Sequence, residues 1–375
     1  MNLICTNVPR NSCPAAGSAV EWQRPDKNRI LQFSPAEEPG GEEDRAGVTN
    51  SVAIVGCGAL GGVFAGLLGS AGLDVVAVCR SEDQRNILAE RGLLLIENEK
   101  ETQVRLRAAP ELPEAESFAL VLVLVKAFDT EGAAASVARR VSPKTPVLTL
   151  QNGLGNAEAL VARLRPEQVL AGTTTFGAQR EAPGVVRLTG RGECVIGAWH
   201  RSAERHERPV AELLSRAGVP CAVAHNILPV LWKKLAVNAV INPLTAILRA
   251  RNGELLDRPE LEPLFAEVVE EVWRVAARYK IGLPTPPELV EEVRRVCRVT
   301  AANRSSMLRD VEERRRTEID SINGAVVRLG RERGVLAPAN LTLTTLVQVL
   351  SSPSRDPGAT TQMGSGTADS MAPRR

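Results

Sequence analysis

The chain has 375 residues, enough for two domains at roughly 150 residues each, with 44% hydrophobic and 24% charged side chains, the balance of an ordinary globular protein. Its 46 basic and 44 acidic groups nearly cancel, and no basic stretch is interleaved with aromatics, so the composition argues against a nucleic-acid partner. No segment reaches the ~18 consecutive apolar residues of a membrane span; the greasiest run, Ala119 to Val125, has the length of a strand.

Residues 1–50 mix Pro, Gly and charge without periodicity, and Glu37, Glu38, Glu42, Glu43 and Asp44 make them too acidic for a transit peptide. They lack the apolar region of a secretory signal and are expected to stay unfolded. Methionine is absent between Met1 and Met307, so a true translation start near Val48 is a further expectation, open to N-terminal sequencing of the native protein. Residues 351–375, rich in Ser, Pro, Gly and Thr, read as a second unfolded tail.

The seven cysteines, Cys5, Cys13, Cys57, Cys79, Cys194, Cys221 and Cys297, form no C-x-x-C pair, and His200, His206 and His225 form no H-x-x-x-H pair. Buried thiols in a reducing cytoplasm are expected, and no metal.

From Ser51 the period alternates. Ser51 to Val55 reads as a strand, Gly61 to Ala71 as a helix, Asp74 to Val78 as a strand and Glu82 to Arg91 as a helix. Ala119 to Val125 and Val147 to Leu150 follow as further strands. Alternation of this kind predicts right-handed crossovers and a largely parallel sheet covered on both faces. From about Asn226 the pattern turns helical, with Leu264, Phe265, Val268, Val269, Val272, Val275, Ala276 and Tyr279 forming one stripe. The expected fold is α/β: an N-terminal Rossmann-type doubly wound sheet over 51–224, then an all-helical C-terminal domain over 225–350.

Gly56, Gly58 and Gly61 place G-x-G-x-x-G directly after the first strand, with Ala59 and Leu60 at the opening of the helix. The first glycine permits the tight turn, the second lets backbone approach a pyrophosphate, and the third allows close packing of helix on strand. Unpaired N–H groups at the helix start would meet the phosphate charge. A dinucleotide cofactor is therefore expected.

The choice of dinucleotide depends on the tip of the second strand, where an NAD enzyme carries an acid for the ribose 2′-hydroxyl. Here stand Cys79, Arg80 and Ser81. Arg80 can pair a 2′-phosphate through its planar fork, which favours NADPH; the competing reading is a solvated surface arginine.

Reduction of a carbonyl needs a proton donor for the oxygen, so polar residues on otherwise apolar elements are candidates. Lys126 ends one apolar strand and Asn152 follows the next, both at the rim where an open parallel sheet meets its ligand. A snorkelling lysine and a turn-forming Asn-Gly pair remain the plainer alternatives. In the stretch 231–243, Lys234, Asn238 and Asn242 lie four apart and share one face of a greasy helix. Pro243 supplies no N–H, so that helix is expected to kink or end near Asn242. The charge of residues 304–324 reads mostly as a solvated helix face, and spacing alone does not single out Ser306 or Glu318.

Five blocks together resemble the ketopantoate (2-dehydropantoate) reductase family. They are Gly56-x-Gly58-x-x-Gly61, Val125-Lys126-Ala127, Gln151-Asn152-Gly153, Trp232 to Asn238 continuing through Asn242-Pro243-Leu244-Thr245-Ala246, and Ser305-Ser306-Met307 with Arg316-Thr317-Glu318-Ile319-Asp320. The first belongs to all Rossmann enzymes; the last two are specific to the family. The resemblance spans about Val52 to Leu350. It implies that Lys234 is the proton donor, acting as an ammonium of pKa about 10, and that Glu318 orients substrate or lysine through a hydrogen bond. It also implies that Asn238, Asn242, Ser306 and Asn252 hold the substrate, with Lys126 and Asn152 contacting cofactor or closing over it. Asp129 departs from the family's frequent Gln and tempers the choice of NADPH. The activity implied is NADPH-dependent reduction of ketopantoate to (R)-pantoate in pantothenate biosynthesis, by a cytoplasmic monomer or homodimer. A paralogue acting on another 2-oxo acid and a non-catalytic NADPH sensor are the alternatives.

Overall fold

The computed structural model describes residues 50–352 apart from residue 115, together with the backbone of residues 30 and 31. The rest of both expected tails, with Cys5 and Cys13, lies outside the described residues. Within the N-terminal stretch, β1 (Ile30–Leu31) pairs antiparallel with residues 223 and 224.

The expected alternation then follows: β2 (Ser51–Val55), α1 (Ala59–Ser70), β3 (Asp74–Val78) and α2 (Glu82–Arg91). Ser81 caps α2 by accepting from the Gln84 N–H. Three strands without a clear apolar period come next, β4 (Leu93–Glu97), β5 (Lys100–Val104) and β6 (Arg107–Ala109). After them run β7 (Leu120–Val123), α3 (Thr130–Arg140), β8 (Val147–Thr149), α4 (Asn156–Val161) and β9 (Val169–Thr174). β10 (Gly177–Ala182), β11 (Val185–Gly190), β12 (Cys194–Ala198), α5 (Glu207–Arg216) and β13 (Cys221–Ala224) complete this half.

The main sheet runs β1-β13-β12-β9-β8-β7-β2-β3-β6, and the stretch from β9 to β6 is parallel throughout. β12 adds itself antiparallel to β9. Alternate residues serve opposite faces, as the pleat requires. Ile54, Leu122 and Leu148 share a core with Val63, Phe64 and Leu68 of α1, while Ala53, Val121 and Val147 pack with Ala134, Val137 and Leu160 of α3 and α4.

A second sheet, β10-β11-β4-β5, is absent from the expected architecture. It packs against α1 through the glycines of that helix. A Cβ at Gly62 would stand 2.5 Å from Val186, and one at Gly69 would stand 2.5 Å from Val104. The helix can therefore sit between two sheets only because these positions carry no side chain.

The helical half comprises α6 (Leu228–Leu248), α7 (Glu262–Arg278), α8 (Pro286–Val299), α9 (Ser306–Glu312), α10 (Asn323–Glu332) and α11 (Pro338–Ser351). The expected stripe of α7 is buried at Phe265, Val268, Val269, Val272, Val275 and Ala276. Of the two outcomes expected at Pro243, a kink or an end, the end does not occur: α6 continues to Leu248. Pro243 leaves the Ala239 carbonyl without its helical donor, and the buried amide of Asn323 supplies one at 2.8 Å. The Thr245 hydroxyl reaches back to the carbonyls of Ile241 and Asn242 at 2.7 and 3.0 Å. Side chains thus repair the helix at the point where its backbone cannot.

Candidate active site

The glycine-rich turn has the conformation a phosphate cradle needs. Gly56 takes φ +100° and donates its N–H to Val78 at 3.1 Å, which locks the turn onto β3. A Cβ at Gly61 would lie 2.1 Å from the Gly56 carbonyl, so the third glycine is required by packing. A Cβ at Gly58 would meet nothing within 4 Å. Gly58 thus opens onto free space in front of α1, whose first N–H groups lack helical partners and whose first turn carries no acid. Space, donors and charge there fit a dinucleotide pyrophosphate.

Beside this turn, buried Gln84 donates to the Cys57 carbonyl at 2.6 Å and accepts from Arg180 of β10 at 3.3 Å. Neither residue is distinguishable by sequence spacing, since the contact joins α2 to a hairpin about a hundred positions later. Arg80 stands at the tip of β3 and pairs with Asp129 through two bonds of 3.1 and 2.6 Å.

Lys126 and Asn152 each lie three residues beyond their strands, β7 and β8. Lys126 crosses to the helical half, donating to Asp310 at 2.6 Å and standing 3.7 Å from Glu318. Glu318 also accepts the Ala127 N–H at 3.0 Å. Arg315 adds a bond of 3.1 Å to Asp310, whose carboxylate is buried. Asp310 is a residue that sequence reasoning passed over, because the charge around it looks like any solvated helix face.

Lys234, Asn238 and Asn242 share one face of α6, as their spacing predicts. Lys234 is half-buried and donates to the Thr174 carbonyl at the end of β9, at 2.8 Å. Its neighbour Lys233 turns away to Glu292 at 3.1 Å. Burial pulls the Lys234 ammonium down to about 8, against the upward pull of Cys194 and Glu318. That corrects the expectation of an ordinary lysine near 10. The expected link from Glu318 to the lysine is likewise corrected: its carboxylate bonds Ala127 and faces Lys126, and it acts on Lys234 through space.

Four expected residues keep open polar groups. The side chains of Asn152, Asn238, Asn242 and Ser306 have no hydrogen-bond partner among the described residues. Asn242 is buried and the other three are half-buried. Ser305, by contrast, is used by the fold: it caps α9 at Leu308 and shares a hydroxyl–hydroxyl bond of 2.7 Å with Thr245. Asn252 is partly engaged by the fold. Its amide donates to Thr300 at 2.8 Å and its N–H to Asn303 at 3.0 Å, tying two turns together, while its Oδ1 is buried without a partner.

Among the described residues no group of three or more His, Cys, Asp or Glu could hold a metal ion, and no helix is long and apolar enough to cross a membrane. Cys57, Cys79, Cys194 and Cys297 are free and buried, and Cys221 is free and half-buried.

Known proteins resemble this chain over both of its halves. The family model "Ketopantoate reductase PanE/ApbA" matches residues 52–201, and its C-terminal counterpart matches residues 226–351. A 2-dehydropantoate 2-reductase of Archaeoglobus fulgidus is 36% identical over 299 residues, covering 79% of this chain and 96% of that protein. Its counterpart in Vibrio cholerae is 34% identical, covering 80% and 97%. Among solved structures, a D-mandelate dehydrogenase in a ternary complex with NADH and anilino(oxo)acetate superposes with TM-score 0.77 at 29% identity, covering 80% of this chain and 98% of that one. A PanE/ApbA family ketopantoate reductase from Ralstonia eutropha superposes with TM-score 0.73 at 32% identity, with the same coverage. By both halves of its sequence and by its fold, the chain belongs to the ketopantoate reductase family of NAD(P)-dependent oxidoreductases.

Proposed function

We propose that this chain reduces 2-dehydropantoate to (R)-pantoate with NADPH, a step of pantothenate biosynthesis. The observation that carries the reading is Lys234, a half-buried ammonium pulled down to about 8 on the same helix face as two asparagines with open amides. A donor poised near neutral pH gives its proton to a forming alkoxide more readily than an ordinary lysine does.

Gly56, Gly58, Ala59, Leu60 and Gly61 would hold the pyrophosphate, and Arg80 the ribose 2′-phosphate. When bound, the reduced nicotinamide supplies the hydride that enters the carbonyl carbon. Lys234 delivers its proton to the carbonyl oxygen and is recharged from solvent. Asn238, Asn242 and Ser306 offer amide and hydroxyl groups to the carboxylate and hydroxyl of the substrate. Asn252 contributes through the turn it ties. Lys126 and Asn152 line the cofactor rim, and the bond from Lys126 to Asp310 draws the two halves together around it. Glu318 supports the charge of Lys234 from a distance and anchors the Ala127 backbone.

A second reading, a paralogue acting on another 2-oxo acid, draws support from the superposition on D-mandelate dehydrogenase. NADPH oxidation measured against a panel of 2-oxo acids separates the two. Highest kcat/KM with ketopantoate supports the first reading, and highest kcat/KM with an aryl 2-oxo acid supports the second. Tight NADPH binding without turnover of any acid would leave only a nucleotide sensor.

A further inference from the structure

One edge of the Arg80 guanidinium is already occupied. Nη1 and Nη2 donate in parallel to Oδ1 and Oδ2 of Asp129, at 3.1 and 2.6 Å. The two residues are 49 positions apart and meet because β3 and the turn after β7 end on the same edge of the sheet. Asp129 also occupies the position preceding α3, where an aspartate ordinarily caps the helix by accepting one of its first N–H groups. It makes no such bond, and its carboxylate is given to Arg80 instead. Ser81, at the equivalent place before α2, does cap its helix.

The parallel N–H pair that Asp129 occupies is one of the two bidentate pairs that Arg80 could offer a phosphate monoester. A ribose 2′-phosphate reaching Arg80 must displace the carboxylate or settle beside it. Either course costs binding, the first by breaking the ion pair and the second by bringing together two anions. A ribose carrying only its 2′-hydroxyl pays neither cost.

We propose that Asp129, by occupying Arg80, is the residue that sets dinucleotide selectivity in this chain, weakening its preference for NADPH so that NADH is also accepted. The proposal rests on the dinucleotide reading above and refines its choice of cofactor. Asp129 touches no reacting atom; it acts through Arg80.

The test is equilibrium binding of NADPH and NADH, read by nicotinamide fluorescence, to the full chain and to D129N, D129Q, R80A and R80A/D129N. D129N and D129Q are expected to raise the NADPH-over-NADH affinity ratio on the order of tenfold, leaving NADH affinity within about threefold. In the R80A background the same replacement should shift the ratio by less than about threefold. A ratio unmoved in both D129N and D129Q overturns the proposal, as does an equal shift without Arg80. If the unaltered chain binds neither nucleotide, the dinucleotide reading falls first and takes this proposal with it.

Discussion

The side-chain amide of Asn323 donates to the Ala239 carbonyl at 2.8 Å, the acceptor that Pro243 leaves open one turn further along α6. The same nitrogen lies 3.0 Å from Asn340 Oδ1, so one buried side chain links α6, α10 and α11. A helix interrupted by proline is thereby kept continuous through the face that presents Lys234, Asn238 and Asn242.

Asn323→Ala removes both bonds from a buried position. Leaving those acceptors unsatisfied should lower stability by about 2–4 kcal/mol, read as a fall in the urea midpoint. A midpoint within error of the unaltered protein would show that the Ala239 carbonyl does not need Asn323.

The pH dependence of kcat/KM tests the donor. In the proposed mechanism reduction uses the Lys234 ammonium, whose pKa is lowered to about 8. Activity should be level near pH 6–7 and fall about tenfold per unit above pH 8, because the rate follows the protonated fraction. Glu318→Gln removes a negative charge that favours the ammonium, so its descending limb should move to lower pH. A limb near 10 in the unaltered enzyme, or a shift to higher pH in Glu318→Gln, would contradict this electrostatic account.

Lys234→Ala should retain dinucleotide affinity while losing on the order of 10²- to 10⁴-fold in kcat, the usual worth of a positioned acid. Single-turnover reduction measured alongside nucleotide binding separates the two effects. Near-normal turnover would remove Lys234 from the chemistry.

Two glycines of the turn should behave differently. At Gly58 a methyl group finds open space, so Gly58→Ala should fold with an unchanged melting temperature yet bind dinucleotide about tenfold or more weakly, where the phosphate would need that space. At Gly61 the methyl group collides with the Gly56 carbonyl, so Gly61→Ala should lower the melting temperature itself. Equal effects of the two on folding would mean that the open space at Gly58 has no ligand to fill it.

Much of this protein is legible in its sequence because local physics suffices for it. Strand and helix alternate with clear periods from Ser51 to Arg91, the glycine spacing demands a turn between them, and a four-residue repeat puts Lys234, Asn238 and Asn242 on one face. None of these depends on distant residues. The small second sheet was not legible: β5 is polar and partly exposed, and its partner β4 joins β11 across some ninety positions. Nor did any local rule foretell that α6 would survive Pro243, that Lys126 would reach Asp310, or that Arg80 would be held by Asp129. Each depends on a group brought in from a remote segment, and only the folded chain fixes which donor meets which acceptor. The lowered proton affinity of Lys234 belongs to the same class, since burial is a property of the surroundings and not of the residue.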